Sequence, residues 1–206
     1  MNMKTIALTL TLLLGTAGPA LAFSDTSGHP AGHAITELET QKLLLGFPDG
    51  AFQPDAALTY GEAAVMLTKG LNINLDNVRF VMKPEASQFF ANVPDGKWYS
   101  DAFIALGVKT VDLPKTLKPD EEVTHEAFAQ FVMKAVAQHG EYAYPMQYID
   151  ISDASGINPA HVSSVQLALL TKVAGLDGEG KFHPKQPITR GDAASWIYNA
   201  RLLAGL

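Results

Sequence analysis

The stretch Ile188-Thr189-Arg190-Gly191-Asp192-Ala193-Ala194 decides the fold of this chain. A threonine followed three residues later by an acid, just before an apolar run, is typical of a helix start. The stretch follows Phe182-His183-Pro184, and the same order of residues occurs twice earlier in the chain. The three copies are 65 residues apart, counted at Pro54, Pro119 and Pro184 and again at Thr59, Thr124 and Thr189. A constant spacing of this kind indicates a tandem repeat.

Each copy extends in the same way towards its N-terminal side. Each copy has a short opening, followed by a stretch whose apolar residues favour one helix face. The three openings are Phe23-Ser24-Asp25, Phe90-Ala91-Asn92 and Tyr148-Ile149-Asp150. In the first copy that face holds Ile35, Leu38 and Leu45, and glycines 46 and 175 are expected to end the first helix with a positive φ. The sequence therefore predicts a mainly α fold of three helix–loop–helix repeats.

The N-terminal residues have the composition of a cleaved signal peptide. Lys4 precedes an uncharged apolar stretch over residues 5–16, and Ala20-Leu21-Ala22 has the small residues that a signal peptidase requires. We therefore expect export, cleavage after residue 22 and no membrane span in the mature chain. The predicted repeats are 23–72, 88–139 and 148–206, joined by linkers over 73–87 and 140–147.

Composition excludes several functional classes. The chain has 206 residues and a net charge of −6, which becomes −7 when Lys4 is lost with the signal, so a nucleic-acid-binding role is disfavoured. The absence of cysteine removes disulfides, thiolate zinc sites and cysteine nucleophiles. His29 and His33 are four residues apart, but Pro30 and Gly32 favour a loop there. With no catalytic motif present, the sequence predicts no enzyme, no metal and no cofactor.

Three stretches carry a family resemblance: Asp49-Gly50-Ala51-Phe52-Gln53-Pro54, Trp98-Tyr99-Ser100-Asp101-Ala102 and residues 188–194. Together with the repeat they resemble the S-layer homology (SLH) domain over the whole mature chain. The resemblance implies a pseudo-threefold bundle that binds secondary cell-wall polysaccharide, often through a sugar carrying a pyruvate ketal. It also implies an exported protein associated with the cell wall or cell surface.

The resemblance also implies which residues bind the ligand. The arginine of the family motif is matched by Arg190, whereas Tyr60 and His125 occupy that position in the other two copies. A cation beside the free amides of a helix start is suited to an anion, but Arg190 could equally be a solvated charge or pair with a nearby acid. Thr189, Asp192 and Trp98 complete the candidate ligand-binding set. We expect the aromatic residues to serve packing first and sugar stacking second; they are Trp98, Trp196, Phe128 and Phe131.

Two functions remain open from the sequence. The first is a non-enzymatic protein that binds cell-wall polysaccharide and associates with the bacterial envelope. The second is a secreted protein-binding protein, such as a protease inhibitor, built on the same scaffold after the loss of two arginines. Its inhibitory loop would be the segment from Val78 to Pro84 or the segment from Gly140 to Pro145.

Overall fold

The computed structural model describes residues 23–111, 113–140, 142 and 147–206. The predicted signal peptide and most of the predicted second linker lie outside the described residues. Within the described ranges the chain is mainly α-helical, as predicted, and its only extended pairing consists of three isolated β-bridges.

The α-helices in this part of the chain form three successive pairs. The first members are α1 (Gly32–Thr40), α3 (Ser100–Val108) and α5 (Val162–Leu170). The second members are α2 (Tyr60–Gly70), α4 (His125–Val136) and α6 (Arg190–Ala204). Short 3-10 turns at Ala86–Gln88 and Ala154–Gly156 precede α3 and α5. Each predicted helix–loop–helix repeat therefore contains one pair of helices.

The second helix of each pair starts where the threonine register predicts. Thr59 and Glu62 form the full capping box: the Thr59 side chain accepts from the Glu62 N–H, and Glu62 accepts from the Thr59 N–H. The Thr189 hydroxyl accepts from the Asp192 N–H at 3.0 Å, and the Thr124 hydroxyl accepts from the Ala127 N–H at 3.4 Å. Each threonine thus satisfies one of the free amides at its helix start.

The residues just before these helices join the three repeats through a closed cycle of backbone hydrogen bonds. Leu58 donates to Ile188, Ile188 donates to Val123, and Val123 donates to Leu58, at 2.8 to 2.9 Å. The helices follow the same order, because α2 packs on α3, α4 on α5, and α6 on α1. The cycle supports the pseudo-threefold arrangement, which stays a prediction.

Apolar side chains from all three repeats fill one continuous core. The largest that are fully buried are Phe52, Phe103, Phe128 and Phe131. Burial of such a side chain contributes about 1.5–3 kcal/mol, so the helices are held mainly by packing across the repeats. The expectation that Phe128, Phe131 and Trp196 serve packing is confirmed, since Trp196 is only 8% exposed.

A carboxylate at the opening of the first and third repeats fixes the loop before the second helix. Asp25 accepts from the N–H groups of Phe52 and Gln53 at 2.8 and 2.7 Å. In the third repeat Asp153 does the same for residues 182 and 183, at 2.9 and 2.8 Å. The prediction that Tyr148-Ile149-Asp150 opens the third repeat is therefore wrong by three residues; the equivalent stretch is Ile151-Ser152-Asp153.

The ends of the first helices also differ from the prediction. The residues with positive φ after α1, α3 and α5 are Lys42, Thr110 and Lys172, with φ of 60°, 54° and 58°. Glycines 46 and 175 do not have that conformation. Because α1 ends at Thr40, Leu45 lies in the following loop instead of on a helix face, and it is 50% exposed.

Candidate functional site

Arg190, the first residue of α6, is buried and reaches across to the first repeat. It is only 4% exposed, so Arg190 is not a solvated surface charge, which the sequence had left open. Its Nε donates to the Phe52 carbonyl at 2.8 Å, and its Nη2 donates to the Leu45 carbonyl at 3.1 Å. Its Nη1 donates to Glu62 Oε1 at 2.7 Å. The side chain therefore links α6 to the loop and second helix of the first repeat.

Two phenyl rings enclose the Arg190 guanidinium. Its central carbon lies 4.8 Å from the ring centroid of Phe47 and 4.6 Å from that of Phe52, both within the range of a cation–π contact. Burial lowers the pKa of Arg190, whereas Glu62 and Asp25 oppose that shift. An arginine keeps its charge under such conditions, so the group is a fixed cation paired with a fixed carboxylate.

A pocket of about 470 Å³ opens over this cation. Its walls are mostly apolar, and the Arg190–Glu62 pair supplies the polar atoms of its floor. We call it the arginine pocket; it is lined by Leu43, Leu45, Gly46, Phe47, Pro48, Glu62, Val65, Met66, Trp98 and Arg190. Trp98 is 63% exposed, so the expectation that it serves packing first is wrong. The Trp98 ring, two residues before the start of α3, is therefore available to a ligand.

A second pocket of about 590 Å³ is also lined by Glu62 and Trp98. We call it the lysine pocket; it is lined by Thr59, Glu62, Asn92, Pro94, Trp98, Tyr99, Lys118, Pro119 and Asp120. Its lining is more polar than that of the arginine pocket, because it includes Asn92, Lys118 and Asp120. The two pockets together, with Trp98 between them, form what we call the composite groove.

The three residues at the arginine position of the motif do not converge on one site. Tyr60 is partly buried with its ring centroid 6.0 Å from that of Phe131, and burial followed by the charge of Glu121 raises the pKa of its phenol. His125 lies against the rings of Phe182 and Trp196 at 6.1 and 5.7 Å. Each is thus part of a different contact between repeats, and of the three only Arg190 lines the composite groove.

The burial of His125 has an electrostatic consequence. Burial lowers the pKa of this imidazole, while the Asp192 carboxylate and the His183 carbonyl oppose the shift. Its Nδ1 lies 3.1 Å from the His183 carbonyl oxygen, so the neutral ring can donate a hydrogen bond there. The sequence could not distinguish this packed histidine from a ligand-binding one.

Thr189 and Asp192 act as the helix cap and do not line the composite groove. The Thr189 hydroxyl lies 2.9 Å from Asp192 Oδ2, and Asp192 is exposed. The groove residues that sequence reasoning missed are Glu62, Phe47 and Lys118. Glu62 also caps α2, and the role of Glu62 and Phe47 in the groove depends on the approach of Arg190 from a distant part of the chain.

His29 and His33, the histidines spaced four residues apart, contact different groups. His29 contacts Asp55 at 3.2 Å and His33 lies against the Tyr198 ring, so the two histidines point to different partners. The part of the chain that the structure describes contains no cluster of three potential metal ligands. None of its helices is both long and apolar enough to span a bilayer.

Comparison with known proteins identifies the repeat. The family model described as S-layer homology domain matches residues 22–64 and 150–194, which fall in the first and third repeats. Two segments of the chain thus match the S-layer homology (SLH) domain. The middle repeat lies outside both matches, although its second helix begins on the same 65-residue register.

Named relatives share this SLH segment. The endoglucanase of Bacillus sp. (strain KSM-635) is 24% identical over 164 residues, 79% of this chain and 17% of its own length. Exoglucanase XynX of Acetivibrio thermocellus is 25% identical over 189 residues, 89% of this chain and 16% of its own. The surface-layer 125 kDa protein of Lysinibacillus sphaericus is 26% identical over 178 residues, which are 84% of this chain and 14% of its own length.

The chain spans less than a fifth of the length of these three relatives. Two of them are named as glucanases and one as a surface-layer protein, so the shared segment accompanies different activities. The SLH domain is an anchoring module for the cell wall, and its presence makes this an exported protein associated with the cell surface.

The three repeats differ at the residue that follows the arginine position. Gly61 and Gly191 occupy it in the first and third repeats, whereas the second has Glu126, which is 4% exposed. Glu126 accepts from Lys185 at 2.5 Å and from the Asn158 N–H at 2.8 Å. This bulky ion-paired side chain occupies the junction between the second and third repeats.

Proposed function

We propose that the composite groove binds cell-wall polysaccharide and thereby attaches this exported protein to the bacterial envelope. The observation that carries the proposal is Trp98, whose ring is 63% exposed beside a pocket with a fixed cation on its floor. An indole ring offers a flat apolar face on which the C–H face of a sugar can stack, while polar groups around it fix orientation.

The charge of the groove limits how the polymer is held. Arg190 is already paired with Glu62, and the whole chain carries a net charge of −6, so a general attraction to an anionic polymer is excluded as the main force. A guanidinium has five N–H groups, of which the three contacts above use three. A pyruvylated unit, which the family resemblance implies, would have to bring its carboxylate to the remaining two.

The test uses the variant Trp98→Ala in the full chain, with purified bacterial cell walls as the binding partner. We expect retention on the walls to fall at least about tenfold, which corresponds to ~1.4 kcal/mol of binding free energy. Tyr148→Ala is the matched control, because Tyr148 is an exposed aromatic residue (71%) outside the groove. Equal retention of Trp98→Ala and the unmodified protein would end the proposal.

A specific observation favours the second candidate function, binding of a partner protein such as a protease. Three successive apolar residues of the segment from Val78 to Pro84 are exposed: Phe80 by 40%, Val81 by 104% and Met82 by 77%. Exposed apolar runs of this kind are often interaction sites. The other predicted inhibitory segment, Gly140 to Pro145, lies mostly outside the described residues.

Inhibition is tested by titrating subtilisin-like and trypsin-like proteases with the protein. An inhibitor that inserts this loop slows the protease at stoichiometric amounts, and the substitution Val81→Asp relieves the effect. No slowing at a molar excess would reject the second function, and it would leave the wall-binding result unaffected because Trp98 is not part of the loop.

A further inference from the structure

We propose that a single glycan chain crosses Trp98, with one sugar unit in the arginine pocket and the next in the lysine pocket. The groove would then recognise an oligosaccharide of at least two units in preference to a single terminal sugar. This inference rests on the proposed function and adds the length and path of the ligand.

The first argument is the size and continuity of the two pockets. Their volumes of about 470 and 590 Å³ each fall in the range of roughly 300–1,000 Å³ that is typical of small-molecule sites. They share Glu62 and Trp98, so the two pockets adjoin each other. Either pocket is large enough for a ligand of its own, and together they form one path.

The second argument is the rigid floor beneath Trp98. Glu62 uses Oε1 to accept from Arg190 at 2.7 Å and Oε2 to accept from the N–H and the hydroxyl of Thr59, both at 3.0 Å. One carboxylate thus connects the cation of the arginine pocket to the helix start that borders the lysine pocket. A floor fixed before binding reduces the ordering cost that a bound chain would otherwise impose.

The third argument is the contrast between the two walls. The arginine pocket is bordered by Phe47, Val65 and Met66, whereas the lysine pocket is bordered by Asn92, Lys118 and Asp120. The Lys118 side chain is 60% exposed and pairs with Glu121, whose side chain is 51% exposed. An ammonium has three N–H donors, so Lys118 can also donate to sugar hydroxyls. The lysine pocket is therefore suited to a hydroxyl-rich unit adjoining the one in the arginine pocket.

A competing path leaves Trp98 in another direction. A third pocket of about 400 Å³ between α2 and α3 is also bordered by Trp98 and carries Lys69 at its edge. Glu62 does not line it, and its walls include Leu45, Val65 and Ile73. It also has the polar side chains of Thr68 and Asp101, but it lacks the Glu62 carboxylate that lines both of the other pockets, which favours the path towards Lys118.

The test measures affinity against ligand length. Oligosaccharides released from purified bacterial cell walls by mild acid are separated by length and titrated into the protein by calorimetry. We expect fragments of two or more units to bind at least about tenfold more tightly than the monosaccharide. In Lys118→Ala this gain shrinks to about twofold or less, whereas in Lys69→Ala and in Lys134→Ala, an exposed residue on α4, the gain remains.

Each contrary result has a distinct meaning. Equal affinity for all lengths in the unmodified protein overturns the inference but leaves wall binding through the groove intact. If Lys69→Ala loses the gain in affinity with ligand length and Lys118→Ala keeps it, the glycan follows the pocket between α2 and α3, and the inference is also overturned. If no fragment of any length binds, the proposed function itself fails.

Discussion

The substitution Arg190→Met tests whether the groove is built on a structural ion pair. Methionine keeps much of the length and the contact with the flanking rings of Phe47 and Phe52, but it removes the charge and all five donors. Glu62, whose side chain is 18% exposed, then loses its cation, and the carbonyls of Phe52 and Leu45 lose their donors. The variant should therefore be substantially less stable than the unmodified protein.

The size of the loss follows from the burial of the pair. Removal of one partner from a buried ion pair typically costs about 3–5 kcal/mol, and the residual exposure of Glu62 places this case near the lower end, about 3 kcal/mol. In a chain of this size 1 kcal/mol corresponds to roughly 2–4 °C in Tm. We therefore expect Tm to fall by about 6–12 °C.

Urea denaturation of the variants measures this directly. The double variant Arg190→Met/Glu62→Gln should lose less stability than the sum of the single variants, because the unpaired carboxylate is gone and glutamine can keep the capping contact with Thr59. The reasoning is refuted if Arg190→Met costs less than about 1 kcal/mol, or if the two single losses add to within about 0.5 kcal/mol.

The same result decides how wall binding should be tested. Because Arg190 supports the fold, an Arg190 variant that fails to bind walls could have lost structure instead of a ligand contact. Trp98 avoids this problem, since its ring is mostly exposed and contributes little to the core. A loss of binding in Trp98→Ala with unchanged stability therefore reports on the groove itself.

Three further predictions concern stability. In urea denaturation, Asp153→Ala should lower the free energy of unfolding by about 2 kcal/mol, because two amides lose a charged acceptor. Asp150→Ala should change it by less than about 0.5 kcal/mol, and equal effects of the two variants would contradict the revised register of the third repeat. Burial lowers the pKa of His125, so the unfolded chain binds this proton at a higher pH than the folded chain, and stability decreases as the pH falls below about 6.5. His125→Phe should therefore flatten the dependence of Tm on pH between about 7.5 and 5.5, and an unchanged slope would contradict this role of His125. Hydrogen bonds from the Lys181 N–H and His183 lower the pKa of Asp177 to about 2, so its contribution is present above about pH 3.8 and is lost towards pH 2; acid unfolding of Asp177→Asn should lack that step.

The predictable parts of the fold are those set by local sequence. The starts of α2, α4 and α6 follow Thr59, Thr124 and Thr189 because a cap acts within one helical turn. The third opening was misplaced because Tyr148-Ile149-Asp150 and Ile151-Ser152-Asp153 have similar patterns. What distinguishes them is whether the carboxylate reaches the amides of residues 182 and 183, about 30 positions away.

The parts of the site that escaped prediction depend on contacts between distant repeats. The Arg190 side chain donates to the carbonyl of Phe52, 138 positions earlier in the chain. No local sequence pattern indicates that these two residues approach each other. Trp98 occupies a position just before a helix, where sequence spacing alone cannot tell a packed ring from an exposed one. The residue types were therefore recognised, but their assignment to core or groove required the fold.

The loss of two motif arginines need not mean the loss of a working site. The composite groove takes its cation from the third repeat (Arg190), its carboxylate from the first (Glu62) and its exposed ring from the second (Trp98). At the corresponding positions Tyr60 and His125 contribute to packing, where an unpaired arginine would carry a desolvation cost. On this reasoning one groove can retain the binding chemistry while the other two contacts between repeats stabilise the fold that holds it. The substitution Tyr60→Arg should therefore weaken the fold without adding a second wall-binding site. On the 65-residue register the next repeat has Ala127 where the groove has Glu62, and Ala160 lies two residues before α5, as Trp98 lies two residues before α3.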